Sequence, residues 1–310
     1  MEDDNNLLLS ICCITYNHEH YITAAIESFL NQKTNFDYEI IIGEDCSTDQ
    51  TREIIFDYEA KYPNYIKIIT GENNVGAVGN ELRTLKCCRG KYIAFCEGDD
   101  YWTDPYKLQR QVDFLETNPK YVAVGHQSKI IYENYPGKTE LFFNYLKDTL
   151  SRKEIVFSNH FHTNAIVFRK NALIKYDLTI AKHLNDHALF ILIVQSGFFR
   201  VFPEVMSVYR RHDLSFAGTS TPKKAYPEQI EWINEVRKIL GTNFILSYHF
   251  LSSRVHVYYE LNHPEIFNGG LIKKSFYFFK YATLTLLLYP RNIKTVIRLI
   301  PKFLGSIKLR

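Results

Sequence analysis

Long apolar runs are missing from this chain of 310 residues: no stretch of 18 or more uncharged apolar residues occurs. A membrane-spanning helix is therefore not expected. The best candidate, residues 276–289, is short and carries Lys280. The opening Met1-Glu2-Asp3-Asp4 is acidic and polar, unlike a signal peptide, so a cytoplasmic protein is expected. The six cysteines contain no C-x-x-C, and Cys12, Cys13 and Cys96 sit in apolar runs. They read as reduced core thiols. Glycine-rich phosphate loops are lacking too. The first apolar run is followed by Thr15-Tyr16-Asn17-His18-Glu19-His20, which has no glycine. That counts against a sugar-phosphate nucleotidyltransferase. The absence of a G-x-G-x-x-G opening the first helix counts against a dinucleotide oxidoreductase. A net charge of only +3 gives no case for a nucleic-acid partner. Acidic residues stop at Glu265, and residues 266–310 hold nine Lys/Arg and no Asp/Glu.

What is present is a large apolar fraction, 46%, with 22 Tyr and 22 Phe, enough for a sizeable core. Over residues 1–117 strand and helix signals alternate. Residues 7–14, 38–43, 66–70 and 91–96 read as buried strands, and 21–32, the stretch from the Ser47–Gln50 cap to 62, 78–88 and 105–117 as helices. Ser47 and Gln50 look like a capping box, and Asp104-Pro105 like a cap with proline at the first helical position. This order predicts an α/β fold with a doubly wound, mostly parallel sheet and helices on both faces. Beyond it, 121–132, 165–169 and 199–209 read as strands and 186–195 as a buried helix ended by Gly197. Residues 211–227 read as a loop, and long helices fill 227–261 and the tail.

Ligands of such sheets bind beyond the carboxyl ends of the strands. Three polar clusters fall there: Thr15-Tyr16-Asn17, Glu44-Asp45, and Glu97-Gly98-Asp99-Asp100. Adjacent carboxylates repel one another and favour a hard divalent cation such as Mg²⁺ or Mn²⁺, shared with diphosphate oxygens. A surface acidic turn is the alternative. A carboxylate at Asp45 can accept a hydrogen bond from a base imide or a ribose hydroxyl, whereas Asp49 reads as a first-turn helix acid.

Ile14-Thr15-Tyr16-Asn17, Glu44-Asp45-Cys46-Ser47-Thr48-Asp49-Gln50-Thr51 and Glu97-Gly98-Asp99-Asp100-Tyr101-Trp102 together resemble the family 2 glycosyltransferases of bacterial surface-polysaccharide type, in order and spacing. The resemblance is dense over residues 7–119 and thinner to His212. It implies a GT-A fold, inverting chemistry and a nucleotide-sugar donor, usually UDP-linked. It implies nucleotide contacts from Thr15, Tyr16, Asn17, Glu44, Asp45 and Asp99, with Asp45 on the uracil. It places the metal at Asp99 and Asp100, with His212 completing the site through the segment Val208-Tyr209-Arg210-Arg211-His212. Glu44 and Glu97 stand where the family often has Asp. Asn185-Asp186-His187 is similar to the segment carrying the general base, which makes Asp186 the catalytic candidate; an ordinary N-terminal helix acid is the alternative. Arg211, or Arg210, is expected near phosphate or sugar. Trp102 is expected either to stack on a sugar or to join the core. His183 and His187 have helical zinc spacing, but no third ligand is evident.

The expected domains are a catalytic 1–225, with a nucleotide-sugar half at 1–119 and an acceptor half at 120–225, and a helical basic region at 226–310. Relatives of this kind act on glycan or lipid-linked acceptors. Residues 290–300 read as a short amphipathic helix that Pro301 ends or kinks, and for 290–310 membrane contact at the cytoplasmic face and packing on the domain are the two alternatives. A non-catalytic carbohydrate-binding protein is the remaining reading, and the retained carboxylates count against it.

Overall fold

A computed structural model describes residues 7–142, 147–213, 221–263, 271–289 and 293–308. Ten strands among these residues form one sheet: β1 (Leu7–Thr15), β2 (Asp37–Glu44), β3 (Ile66–Ile69), β4 (Tyr92–Phe95), β5 (Tyr101–Trp102), β6 (Tyr121–Tyr132), β7 (Thr139–Leu141), β8 (Thr149–Leu150), β9 (Val167–Arg169) and β10 (Phe198–Arg211). The order is β3-β2-β1-β4-β9-β6-β10-β5, with β7 beside β6 and β8 beside β10. The first four are mutually parallel. β9 then runs antiparallel between β4 and β6, while β10 is parallel to β6. The sheet is thus mixed, and its parallel half is the one whose apolar runs the sequence makes visible.

Helices α1 (Ile22–Leu30), α2 (Thr51–Lys61), α3 (Gly76–Cys87), α4 (Lys107–Thr117), α5 (Arg152–Phe157), α6 (Asn171–Ile174) and α7 (Asp186–Ile193) cover the two faces. Alternation along β1 sorts its side chains. Leu9, Ile11 and Cys13 pack with Ile26 and Phe29 of α1, Ile55 of α2 and Val112 of α4. Cys12 points to the other face, with Leu85 of α3, Phe95 and the apolar run of α7. All six cysteines are free.

The C-terminal helices Pro222–Leu240, Ile245–Asn262, Leu271–Leu288 and Ile293–Lys308 share this second core through Trp232, Ile233, Phe250, Phe278 and Phe303. Complete burial of such side chains stabilises by about 1.5–3 kcal/mol each.

Three local expectations change. Ser47 does not cap α2; its Oγ accepts the Asn17 N–H at 3.0 Å, and the helix begins at Thr51. Asp104 serves the turn before α4, accepting the Tyr106 N–H at 2.8 Å. The segment expected to be a loop up to residue 227 already turns helical at Pro222, where Thr221 accepts the Lys224 N–H and proline occupies the first turn. Residues 214–220 lie outside the described ones. The last helix runs on through Pro301 to Lys308.

Candidate active site

The parallel register brings the three polar clusters to one edge. Thr15 pairs with Glu44, and the Asp45 N–H donates to Thr15 O at 3.1 Å. Past the end of β4, the Cys96 N–H donates to Cys12 O and the Gly98 N–H to Ile14 O at 2.9 Å, so the acidic segment continues β4 along the tip of β1. The loops after β1 and β2 are laced together. Asn17 Oδ1 accepts the Thr48 N–H at 2.8 Å, Asp49 accepts the Glu19 N–H, and Glu19 accepts the Gln50 N–H. Asn17 and Cys46 take left-handed backbone conformations, with φ of 55° and 63°. Asparagine tolerates this region well; for cysteine it costs on the order of 1 kcal/mol. Asn17 is therefore a loop clamp whose side-chain oxygen is already committed.

Glu44 and Asp45 are neighbours with different surroundings. Glu44 is fully buried, accepting hydrogen bonds from the Ser47 N–H and from Thr70 Oγ1 at 2.7 Å, with Arg52 Nε at 3.1 Å. Burial alone would raise its pKa, but these donors outweigh it and hold the carboxyl below its ordinary value. Both oxygens thus serve the scaffold. Asp45 Oδ1 accepts the Val75 N–H at 2.9 Å and faces Arg83 at 3.3 Å, while Oδ2 accepts nothing among the described residues. Tyr16 is 42% exposed at the strand tip, and the buried Thr15 Oγ1 has no partner among the described residues.

The antiparallel pairing of β5 with β10 joins the acidic segment to residues more than a hundred positions away. Ser207 pairs with Trp102 and Val208 with Tyr101. As a result His212 Nε2 lies 3.1 Å from Asp99 Oδ2, and His18 Nε2 lies 3.9 Å from the same oxygen. Burial raises the Asp99 pKa, but the hydrogen bond from His212 and the charge of His18 bring it below its usual value. Asp100 faces inward. It is almost fully buried, with Oδ1 accepting the Arg210 N–H at 2.9 Å and Oδ2 accepting Asn164 Nδ2 at 2.7 Å. Burial, then the charges of Asp99 and Glu97, push its pKa well up. Asp99 is therefore the outward member of the pair expected at the metal.

Trp102 belongs to the core. Its ring is 4% exposed, lies 4.8 Å from Phe29, and donates its indole N–H to Asn164 O at 2.8 Å. Of the two arginines, Arg210 reaches the site. Its guanidinium lies 4.6 Å over Tyr101 and 5.2 Å over Tyr21 and donates to Asp99 O at 3.2 Å. Arg211 is exposed and lies over Tyr132 at the outer side.

Asp186 opens α7, capped by Asn185 Oδ1 on the Ala188 N–H at 2.9 Å. Burial pushes its pKa up to about 6. Glu97 accepts a short hydrogen bond from Thr163 Oγ1, while its Oε2 is shut away without a partner among the described residues. Burial and then the Asp186 charge push Glu97 up to about 8. Glu81 of α3 is raised by burial and by the same two acids. His183 hydrogen-bonds Glu235 and His187 hydrogen-bonds Ile155 O, so neither serves a zinc site. The sequence reading missed His18, Glu81, Arg83 and Asn164. Only their proximity to strand ends across the fold marks them.

Asp99 Oδ2 has His212 Nε2 at 3.1 Å and His18 Nε2 at 3.9 Å, an oxygen and two ring nitrogens in one neighbourhood. No group of three or more His, Cys, Asp or Glu among the described residues is arranged to hold an ion unaided. A partial donor set fits a hard divalent cation that draws its remaining ligands from a bound diphosphate and water.

An uncharacterized protein of Mycobacterium tuberculosis is 38% identical over 205 residues, 66% of this chain and 59% of its own length. The chain therefore spans about three-fifths of the length of such relatives. UDP-Glc:alpha-D-GlcNAc-diphosphoundecaprenol beta-1,3-glucosyltransferase WfaP of Escherichia coli is 40% identical over 124 residues, 38% of this chain and 45% of its own. Among solved structures, S. aureus TarS 1–349 in complex with UDP-GlcNAc superposes with a TM-score of 0.63 over 97% of this chain and 89% of that one, at 16% identity. The sheet and helices thus have the GT-A fold. The sequence model of glycosyl transferase family 2 matches residues 10–176, more than half of the chain. This protein belongs to glycosyl transferase family 2.

Proposed function

We propose that the protein is an inverting glycosyltransferase that moves a sugar from a UDP-linked donor to a hydroxyl of a glycan or lipid-linked acceptor. The observation that carries this reading is that Asp45 and the Asp99–His212–His18 group share one sheet edge, with Asp186 close enough to Glu97 for its charge to act there. The names of the E. coli relative and of the TarS complex support the donor class and a lipid-linked acceptor.

Asp45 Oδ2 and Tyr16 take the base end of the nucleotide, and Arg210 lies beside the phosphates. Asp99 and His212 would hold a Mg²⁺ or Mn²⁺ ion, which would offset the negative charge of a departing diphosphate. The acceptor oxygen bonds to the anomeric carbon as the carbon–phosphate-oxygen bond breaks on the opposite face, and the acceptor proton passes to Asp186. Burial raises both acids and the Asp186 charge raises Glu97 further, so Glu97 holds its proton to a higher pH than Asp186 and leaves Asp186 the better placed of the two to act as a base.

The test separates binding from transfer. UDP raises the melting temperature more with Mn²⁺ than with EDTA, and Asp186→Asn keeps that shift while losing at least about 10²-fold in kcat. A metal-independent shift refutes the Asp99 assignment; near-wild-type turnover in Asp186→Asn refutes the base.

A further inference from the structure

The helix Leu271–Leu288 packs one face and leaves the opposite one open. Phe278, Tyr281 and Thr285 are buried against the core. A half turn away, Phe276, Phe279, Leu286 and Leu287 point outward, with Phe279 63% and Leu287 71% exposed. Spacings of three, seven and one place these four in a single stripe about 100° wide. Single exposed apolar residues are ordinary; an aligned stripe of two phenylalanines and two leucines is not.

The neighbouring helix Ile293–Lys308 adjoins it. Its Phe303 stacks on Phe278 at 4.1 Å and meets Phe279 edge-on at 6.4 Å. Val296 and Phe303 are its buried side, while Ile297 and Ile300 are exposed beside exposed Lys294, Arg298 and Lys302. Residues 266–310 contain no carboxylate side chain at all.

We propose that this stripe, with the basic exposed side of the last helix, docks the protein on an anionic lipid bilayer. The apolar residues enter the interface between headgroups and acyl chains while the lysines and arginine meet lipid phosphates. No described helix is long and apolar enough to cross a membrane, so the contact is one of lying on the surface. A second copy of the chain fits this face poorly. A two-fold interface sets the same patch against itself, and here it would oppose positive charge to positive charge with no acid to pair it. The inference stands on surface chemistry alone, so it survives failure of the catalytic reading.

The experiment is co-sedimentation of the full chain with vesicles of phosphatidylcholine alone or mixed with phosphatidylglycerol. Expected is binding to the mixed vesicles, weak binding to the neutral ones, and release on raising salt. The double variant Phe279→Ser/Leu287→Ser loses about tenfold or more in partition, and so does Lys294→Glu/Arg298→Glu. Both keep the fold and melt within a few degrees of wild type, because the substituted side chains are exposed and Phe279 gives up its edge contact to Phe303. Equal binding to neutral vesicles, or wild-type binding by either variant, overturns the proposal. So does a lipid-free dimer in analytical ultracentrifugation that the stripe variant dissociates while wild type ignores vesicles.

Discussion

Gly98→Ala tests whether the acidic segment acts through its position. A Cβ on Gly98 would lie 2.8 Å from Thr15 Oγ1, 2.9 Å from Thr15 Cβ and 2.9 Å from Ile22 Cδ1, where ordinary contact begins near 3.4 Å. About half an ångström must be found. Thr15 Cβ is fixed to β1 and Ile22 is completely buried in the first turn of α1, so the segment carrying Asp99 is the part that moves. Overpacking of this kind costs about 1–3 kcal/mol, a fall of a few degrees in melting temperature. A misplacement approaching 1 Å at a reacting site costs on the order of 10²-fold. The expected result is a fall of about 30- to 100-fold in kcat/KM, with a smaller metal-dependent UDP shift and a fold that persists. Gly137→Ala is the control. Its φ of +86° strains any side chain, but nothing lies within 4 Å, so stability drops by about 1 kcal/mol and turnover is unchanged. Gly98→Ala with turnover within twofold of wild type refutes the reasoning. Melting some tens of degrees early would reduce it to a folding defect.

Three further outcomes follow from the same geometry. Arg210→Lys gives up the planar contacts with Tyr101, Tyr21 and Asp99 O and loses about tenfold in kcat/KM, while Arg211→Lys stays within twofold; equal effects would return the arginine role to chance. Asn164→Ala strips a donor from the buried Asp100 carboxylate and an acceptor from Ser128 and Ser207, which lowers stability by about 3 kcal/mol in urea titrations with an unchanged slope. For pH, the base must be ionised, and burial sets Asp186 at about 6. kcat/KM therefore rises with pH through about 6 and levels above it; a flat profile down to pH 5 removes Asp186 from the reaction.

The parallel half of the sheet was legible because its strands are mostly apolar runs separated by helices with apolar spacing. That pattern also located the strand ends, and with them the ligand edge. The other half of the site was not legible, because β5 and β10 meet through a pairing of short sequence signal and long separation. Nothing in Val208-Tyr209-Arg210-Arg211-His212 says that Arg210 turns toward Asp99 and Arg211 away; alternation along β10, once its register with β5 is known, says it at once. Ser47 misled for a related reason. Its spacing to Gln50 fits a helix cap, but the left-handed turns at Asn17 and Cys46 bring the Asn17 N–H to it first.

The acids at the edge are where sequence and structure part most sharply. By composition Glu44, Asp45, Asp99 and Asp100 are four equivalent ligand candidates. Their environments divide them in pairs. Glu44 and Asp100 have both oxygens taken by protein donors, whereas Asp45 and Asp99 each have one oxygen with no protein donor among the described residues. The division has an electrostatic logic. Four free carboxylates along one sheet edge would repel one another strongly with no ligand bound. Seating one acid of each pair among N–H and hydroxyl donors holds the loop in place and leaves its neighbour as the one with an uncommitted oxygen. Asp45→Asn and Asp99→Asn should therefore lose ligand while keeping the fold, and Glu44→Gln should lose the fold first.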